Sequence, residues 1–207
     1  MFQIIPRSAW TSTKPGGEPM GEPVSMTFQH HTAGPQPKGG VKATRATEEA
    51  LVRATRAFHI SGRGMSDIAY SFGAMPSGRI YSLRGRKRTG GHTYNFNSIS
   101  YGVVAFGNFE AEKPSRPMLA GLQKLYARMR HQGWVDGEPH PTKGHCDVGA
   151  AGGGTACPGK NLYAFLRWLS VHHPHAHREH PHRIGVHHHH QHSHPHKAGT
   201  GHHHPSR

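Results

Sequence analysis

The stretch VSMTFQHHTAG, Val24 to Gly34, decides how the rest of the chain is read. Val24, Met26, Phe28 and His30 alternate with smaller or more polar residues, the period-2 pattern of a strand. The strand runs into two histidines and then into the Pro/Gly-rich loop Gly34 to Gly40. It therefore delivers imidazole groups to its own end. Adjacent strand residues point to opposite faces, so only one of His30 and His31 can serve a given site. Periodicity does not say which.

Working outward, a helix is expected from about Ala46 to Phe58. Leu51, Ala54 and Phe58 fall at helical spacing, and Ser61-Gly62 with Gly64 end it. Ile68 to Met75 and Arg79 to Leu83 read as two strands of a hairpin turned at Pro76-Ser77-Gly78. Val103 to Phe106 is a short continuous apolar run, the pattern of a buried central strand. A second helix is expected over Arg116 to His131, with Leu122, Leu125, Tyr126 and Met129 as its buried stripe. A third begins at Pro158, a favoured first helical position. It carries Leu162, Phe165, Leu166 and Leu169 on one face and stops before Pro174. Strands interleaved with helices predict an α/β fold, a central mixed β-sheet flanked by about three helices.

Composition divides the chain. Of the 207 residues, 33% are hydrophobic, and the shortage is concentrated at one end. Residues 172–207 hold 16 of the 23 histidines and almost no apolar periodicity. We therefore expect a folded domain over 1–171 and a disordered His-rich tail over 172–207, which cannot offset the entropy cost of folding. Imidazoles with ordinary pKa near about 6.5 make that tail more cationic in mild acid. The formal net charge of +14 favours anionic partners. The basic tail suits an anionic wall polymer or a membrane surface, and no specific nucleic acid is expected. No apolar run reaches the roughly 18–20 residues of a membrane span. The opening MFQIIPRSAW lacks the basic-then-apolar order of a Sec signal peptide, so the expectation is synthesis in a cytoplasm without a Sec route out. A monomer is expected.

Two further stretches carry chemistry: GHCDVG (Gly144 to Gly149) and TACPGK (Thr155 to Lys160). With one histidine of the His30-His31 pair, His145 and Cys157 supply two imidazoles and a thiolate. That donor set suits a catalytic zinc ion, which takes three protein ligands and keeps its fourth position for water. Such an ion lowers the water pKa to about 7 and polarises a carbonyl, which predicts a hydrolase. Cys157 immediately precedes the expected third helix, so it reads as an N-cap whose thiolate the helix dipole favours. A Cys146–Cys157 disulfide would consume a ligand, so both read as thiols. Asp147 offers a second-sphere or local structural partner.

Several motifs then fall in one order: IIPRSAW (Ile4 to Trp10), FQHHT (Phe28 to Thr32), DIAYSF (Asp67 to Phe72), GRIY (Gly78 to Tyr81), Gly91-His92-Thr93 with Asn97-Ser98 and Gly102, Gly107-Asn108-Phe109, and ACPG (Ala156 to Gly159). Together they resemble the type 2 N-acetylmuramoyl-L-alanine amidases, the family of phage lysozyme-type amidases and peptidoglycan recognition proteins. The resemblance covers nearly all of residues 3–169. It implies that fold, a Zn2+ ion held by His30, His145 and Cys157, and a catalytic role for Tyr70. Thr155 falls where the family carries Lys or Thr near the metal. Substrate contacts are implied at Arg84, His92 and Asn97, and His31 is a further candidate beside the ligand His30. The implied activity is cleavage of the bond between N-acetylmuramic acid and L-alanine in bacterial peptidoglycan, most simply by a phage endolysin that reaches the wall after release. The alternatives are a recognition module that does not cut and an amidase that recycles anhydro-muropeptides. Cys146 stands where the family usually has Arg, and Gly149 to Gly154 is longer than the usual link.

Overall fold

The computed structural model describes residues 2–136, 142–152 and 154–172. Residues 173–207 of the His-rich tail lie outside them. Six strands form one mixed sheet: β1 (Ile4–Ile5), β2 (Met26–His31), β3 (Phe72–Ala74), β4 (Ile80–Ser82), β5 (Ser100–Ala105) and β6 (Thr142–Gly144). Their spatial order is β1-β4-β3-β5-β2-β6. β3, β5, β2 and β6 run parallel, while β4 is antiparallel to β3 through the expected hairpin. All six residues of β5 are buried, as a parallel strand covered on both faces requires.

Three α-helices flank the sheet: α1 (Arg45–Ala57), α2 (Arg116–His131) and α3 (Lys160–His172). Ser115 caps α2, its side chain accepting from the Met118 N–H, and Pro117 sits in the first turn. Leu122, Leu125, Tyr126 and Met129 of α2 and Leu162, Leu166 and Leu169 of α3 pack against Phe72, Tyr101 and Val103. On the other face, Val52 of α1 joins Trp10, Ile68, Tyr81, Val104 and Phe106. Pleat alternation thus assigns Phe28, His30 and Val104 to the α1 face, and Gln29, His31 and Val103 to the α2/α3 face.

The α1 stripe differs from the expected one. Phe58 is 55% exposed, while Glu48 is buried on that helix. Its carboxylate accepts from Ser77 Oγ, Arg79 Nε and the Tyr81 hydroxyl. A buried carboxylate is tolerated only with partners of this kind, and these tie α1 to the hairpin. After Ala57 the helix widens into a π turn, Phe58–Gly62. That turn rotates Phe58 outward and His59 inward.

Candidate metal centre

β2 and β6 are parallel neighbours, with Gln29 opposite Gly144. This register sets His30, one residue on in β2, beside His145, the first residue beyond β6. Their rings lie 4.6 Å apart between centroids. Cys157 completes the group: its Sγ is 3.6 Å from His30 Nδ1 and accepts the His31 backbone N–H at 3.4 Å. One ligand atom from each of His30, His145 and Cys157 lies within 4.8 Å of the others. Two imidazole nitrogens and a sulfur around a tetrahedral zinc would stand about 3.5 Å apart, so the donor set and spacing fit that ion.

The surroundings prepare these donors. Burial, reinforced by the nearby His92, His145 and His31, holds the His30 pKa well below 6.5, which leaves the neutral, ligating imidazole. Its Nε2 lies 3.4 Å from Thr93 Oγ1, which in turn lies 3.0 Å from His92 Nδ1. With Nδ1 facing the sulfur, the His30 proton belongs on Nε2, and Thr93 fixes that tautomer. The Gln29 amide donates to the His30 carbonyl and to that of Val103, and the Tyr126 hydroxyl holds the same amide from α2. Gly102 is needed beneath this cluster, because a Cβ there would stand 2.5 Å from the His92 ring.

Cys157 is not a helix N-cap. α3 starts at Lys160, and Gly159 sits at φ 83°, outside helical space. Burial accordingly pushes the thiol up to about 12. A bound cation reverses that preference, since a coordinating thiol is deprotonated outright. Thr155 is exposed and its Oγ1 accepts the Cys157 N–H at 3.1 Å, fixing the turn that aims the sulfur. Asp147 accepts from the Gly144 N–H and the Tyr163 hydroxyl, a local structural role. Cys146 and Cys157 are free thiols.

Tyr70 stands just ahead of β3, its ring 5.2 Å from His30 and 5.6 Å from His59. Burial, with the charge of Cys157 added, raises its pKa, so the phenol keeps its proton and can donate it in a hydrogen bond. His92 packs edge-on at 5.2 Å from His30. It is buried, with its pKa drawn down to about 3 by that burial, and among the described residues its Nε2 has no partner of good hydrogen-bond geometry. Three of the sequence candidates are not brought to the cluster. His31 turns to the α2/α3 face, where its Nδ1 accepts the Phe109 N–H. The Arg84 guanidinium is buried and donates to the carbonyls of Ile68, Thr89 and Asp67, which commits three of its N–H groups to the loop. Asn97 Oδ1 accepts the backbone N–H groups of His92 and Thr93 and so shapes their loop.

Sequence reasoning missed His59, Arg63 and the bridging role of Thr93. A cavity of about 390 Å³ adjoins the cluster, with Tyr70, His59 and Arg63 among its walls and Leu51, Thr55 and Phe58 supplied by α1 and the turn after it. His59 Nδ1 accepts the Ala69 N–H, and burial beside Arg63 and Arg84 holds its pKa at about 4. Helical periodicity gives no sign of this histidine, because only the π turn swings it inward.

Residues 20–160 match the family described as N-acetylmuramoyl-L-alanine amidase. The chain belongs to that family. Among its relatives, peptidoglycan-recognition protein LE of Drosophila melanogaster is 36% identical over 162 residues, which is 77% of this chain and 44% of that protein. An N-acetylmuramoyl-L-alanine amidase of Sus scrofa is 30% identical over 170 residues, 79% of this chain and 27% of that protein. This chain thus spans less than half the length of either relative. The crystal structure of peptidoglycan recognition protein-LE in complex with tracheal cytotoxin, a monomeric diaminopimelic acid-type peptidoglycan, superimposes with a TM-score of 0.70 at 35% identity. The match covers 80% of this chain and 92% of that one. The amidase family thus contains both named enzymes and named recognition proteins.

Proposed function

We propose that this chain is a zinc-dependent N-acetylmuramoyl-L-alanine amidase acting on bacterial peptidoglycan. The observation that carries the reading is the convergence of His30, His145 and Cys157 beside the Tyr70 phenol. When bound, zinc would supply a water of lowered pKa and polarise the amide carbonyl. The chain's own residues do the rest. Thr93 and Gln29 hold His30 in place. Tyr70 donates its proton as a hydrogen bond toward the oxygen on which negative charge develops. The cavity beside it pairs an apolar wall with the cationic Arg63, as an extended peptide carrying carboxylates requires.

The test uses purified cell walls and a soluble muramyl peptide. Loss of turbidity should accompany new L-alanine N-termini, stop when a chelator removes the metal, and return with Zn2+. Undiminished lysis without metal would refute the zinc reading, and release of reducing sugar would indicate a glycosidase. Binding of the muramyl peptide without new N-termini would support a recognition module, the role named for several relatives. The endolysin assignment rests on the sequence expectation, and finding the protein in the medium of intact producing cells would overturn it.

A further inference from the structure

The face of the sheet turned away from the metal cluster carries a second hollow, rimmed by arginines. We infer that it binds a phosphodiester polymer of the bacterial wall, of the polyol-phosphate class, while the α1 face works on peptidoglycan. This inference rests on the peptidoglycan reading above.

The hollow has a volume of about 600 Å³, and its walls include Arg7, Arg86, Arg128, Trp134, Phe72 and Gln3. Its position follows from register. Phe72 pairs with Ser82 in the hairpin, and Phe72 packs in the α2/α3 core, opposite the Val104–His30 side. Both faces can therefore be occupied at once.

Its charge is in surplus. The Arg86 guanidinium lies 4.1 Å above the Trp134 ring and that of Arg128 lies 5.9 Å from it, so the two cations are at most about 10 Å apart. Arg86 and Lys87 share a single carboxylate, Glu22. Among the described residues, Arg128 makes long side-chain bonds to neutral groups, 3.4 Å to the Phe2 carbonyl and 3.5 Å to Gln132. Among the described residues, none of the ion pairs involves it. Planar guanidinium forks match phosphate oxygens two at a time. The Arg86 fork closes on both oxygens of Glu22, so the open fork is that of Arg128, while Arg86 and the exposed Lys87, sharing one carboxylate, extend the positive field that successive anions along a strand follow.

Other anions fit less well. Among the described residues, the exposed large apolar ones are Val41, Phe58, Tyr94, Ile99, Trp168 and Val171, and none lines the hollow, so it presents no wedge to a bilayer. Trp134 is 8% exposed and stacked on Phe72, which denies a nucleobase the open aromatic face it stacks on.

The experiment titrates poly(glycerol phosphate) into the zinc-loaded full chain at physiological salt. Arg128→Gln is compared with Arg45→Gln, which removes the same charge from α1. Arg128→Gln should weaken binding about 10-fold, as loss of one charge-assisted contact predicts, and Arg45→Gln by less than about 2-fold. Pelleting with walls should fall for Arg128→Gln only while the walls retain their phosphate polymer. Equal loss in both variants would overturn the inference. So would tighter binding to phosphatidylglycerol vesicles or duplex DNA than to the polymer, or an Arg128 effect that persists on stripped walls. Hydrolysis of the soluble muramyl peptide by Arg128→Gln should match the wild type. A wild-type chain that binds the polymer but neither binds nor cuts that peptide would strike the amidase reading alone.

Discussion

Replacing Thr93 with valine tests how the sheet prepares His30 without touching a metal donor. The two side chains are nearly isosteric, so the change removes an oxygen and opens almost no cavity. Two buried ring nitrogens lose their partner: His92 Nδ1 at 3.0 Å and His30 Nε2 at 3.4 Å. A buried polar atom left unsatisfied costs about 1–3 kcal/mol. The 3.4 Å contact belongs at the lower end, so we expect the metal-free protein to lose about 2–3 kcal/mol of stability in urea unfolding. Zinc affinity should fall by about 10–100-fold, the usual consequence of losing an outer-sphere partner of a ligating histidine. Competition with a chromogenic chelator reads the affinity directly. Thr93→Ser keeps the hydroxyl and should recover most of both losses. Stability within about 0.5 kcal/mol of wild type and affinity within about 2-fold for Thr93→Val would refute the argument that this hydroxyl holds the imidazole.

Tyr70→Phe should lower kcat on a muramyl peptide by about 10²–10³-fold, the cost of one oxyanion donor, with KM and zinc content near wild type. A fall in zinc content instead would assign the phenol to the metal site's structure. For acid stability, burial alone would raise the Glu22 carboxyl, but hydrogen bonds from Arg86, Lys87 and Tyr101 outweigh it and hold the pKa at about 2. A carboxyl depressed in the fold stabilises it above its ordinary pKa near 4.5, and that contribution disappears as pH falls toward 2. It amounts to about 2 kcal/mol after allowance for the solvent around Lys87. Denaturant titrations between those pH values should show this slope, and Glu22→Gln should flatten it.

Much of the fold was legible because its strongest patterns are local. The α2 stripe of Leu122, Leu125, Tyr126 and Met129 defines Arg116–His131 from sequence, and the apolar run at Val103 marks the central strand. β6 was invisible, since Thr142-Lys143-Gly144 has no periodicity and becomes a strand only by pairing along β2. The buried face of α1 was misread because Glu48, a polar residue, is buried there beside Val52, and its three partners come from the distant hairpin. The resemblance implies Arg84 as a substrate contact, and only the folded loop shows its donors committed to three carbonyls. The Pro158 signal pointed to a helix start, but Gly159 at positive φ delays it to Lys160. No pattern within a single segment could have warned of that, because a Cβ at Gly159 would meet the Glu110 N–H at 2.4 Å, a neighbour brought by another loop.

The histidine pair shows where sequence reasoning ends and register takes over. Alternation alone says that His30 and His31 part company, and it gives neither of them the metal. The choice belongs to the neighbours. Parallel pairing sets Val104 opposite His30 and Ala105 opposite His31. Val104 packs in the α1 core and Ala105 in the α2/α3 core. A slip of one residue in β2 would carry His31 to the α1 face and bury Gln29 there without the Tyr126 hydroxyl, which comes from α2. Such a slip moves every side chain of the strand to the wrong face. The metal site is therefore specified by the core on both sides of the sheet, and Gln29→Leu, which leaves that core apolar and the Tyr126 hydroxyl unpaired, should loosen zinc binding although residue 29 faces away from the ion.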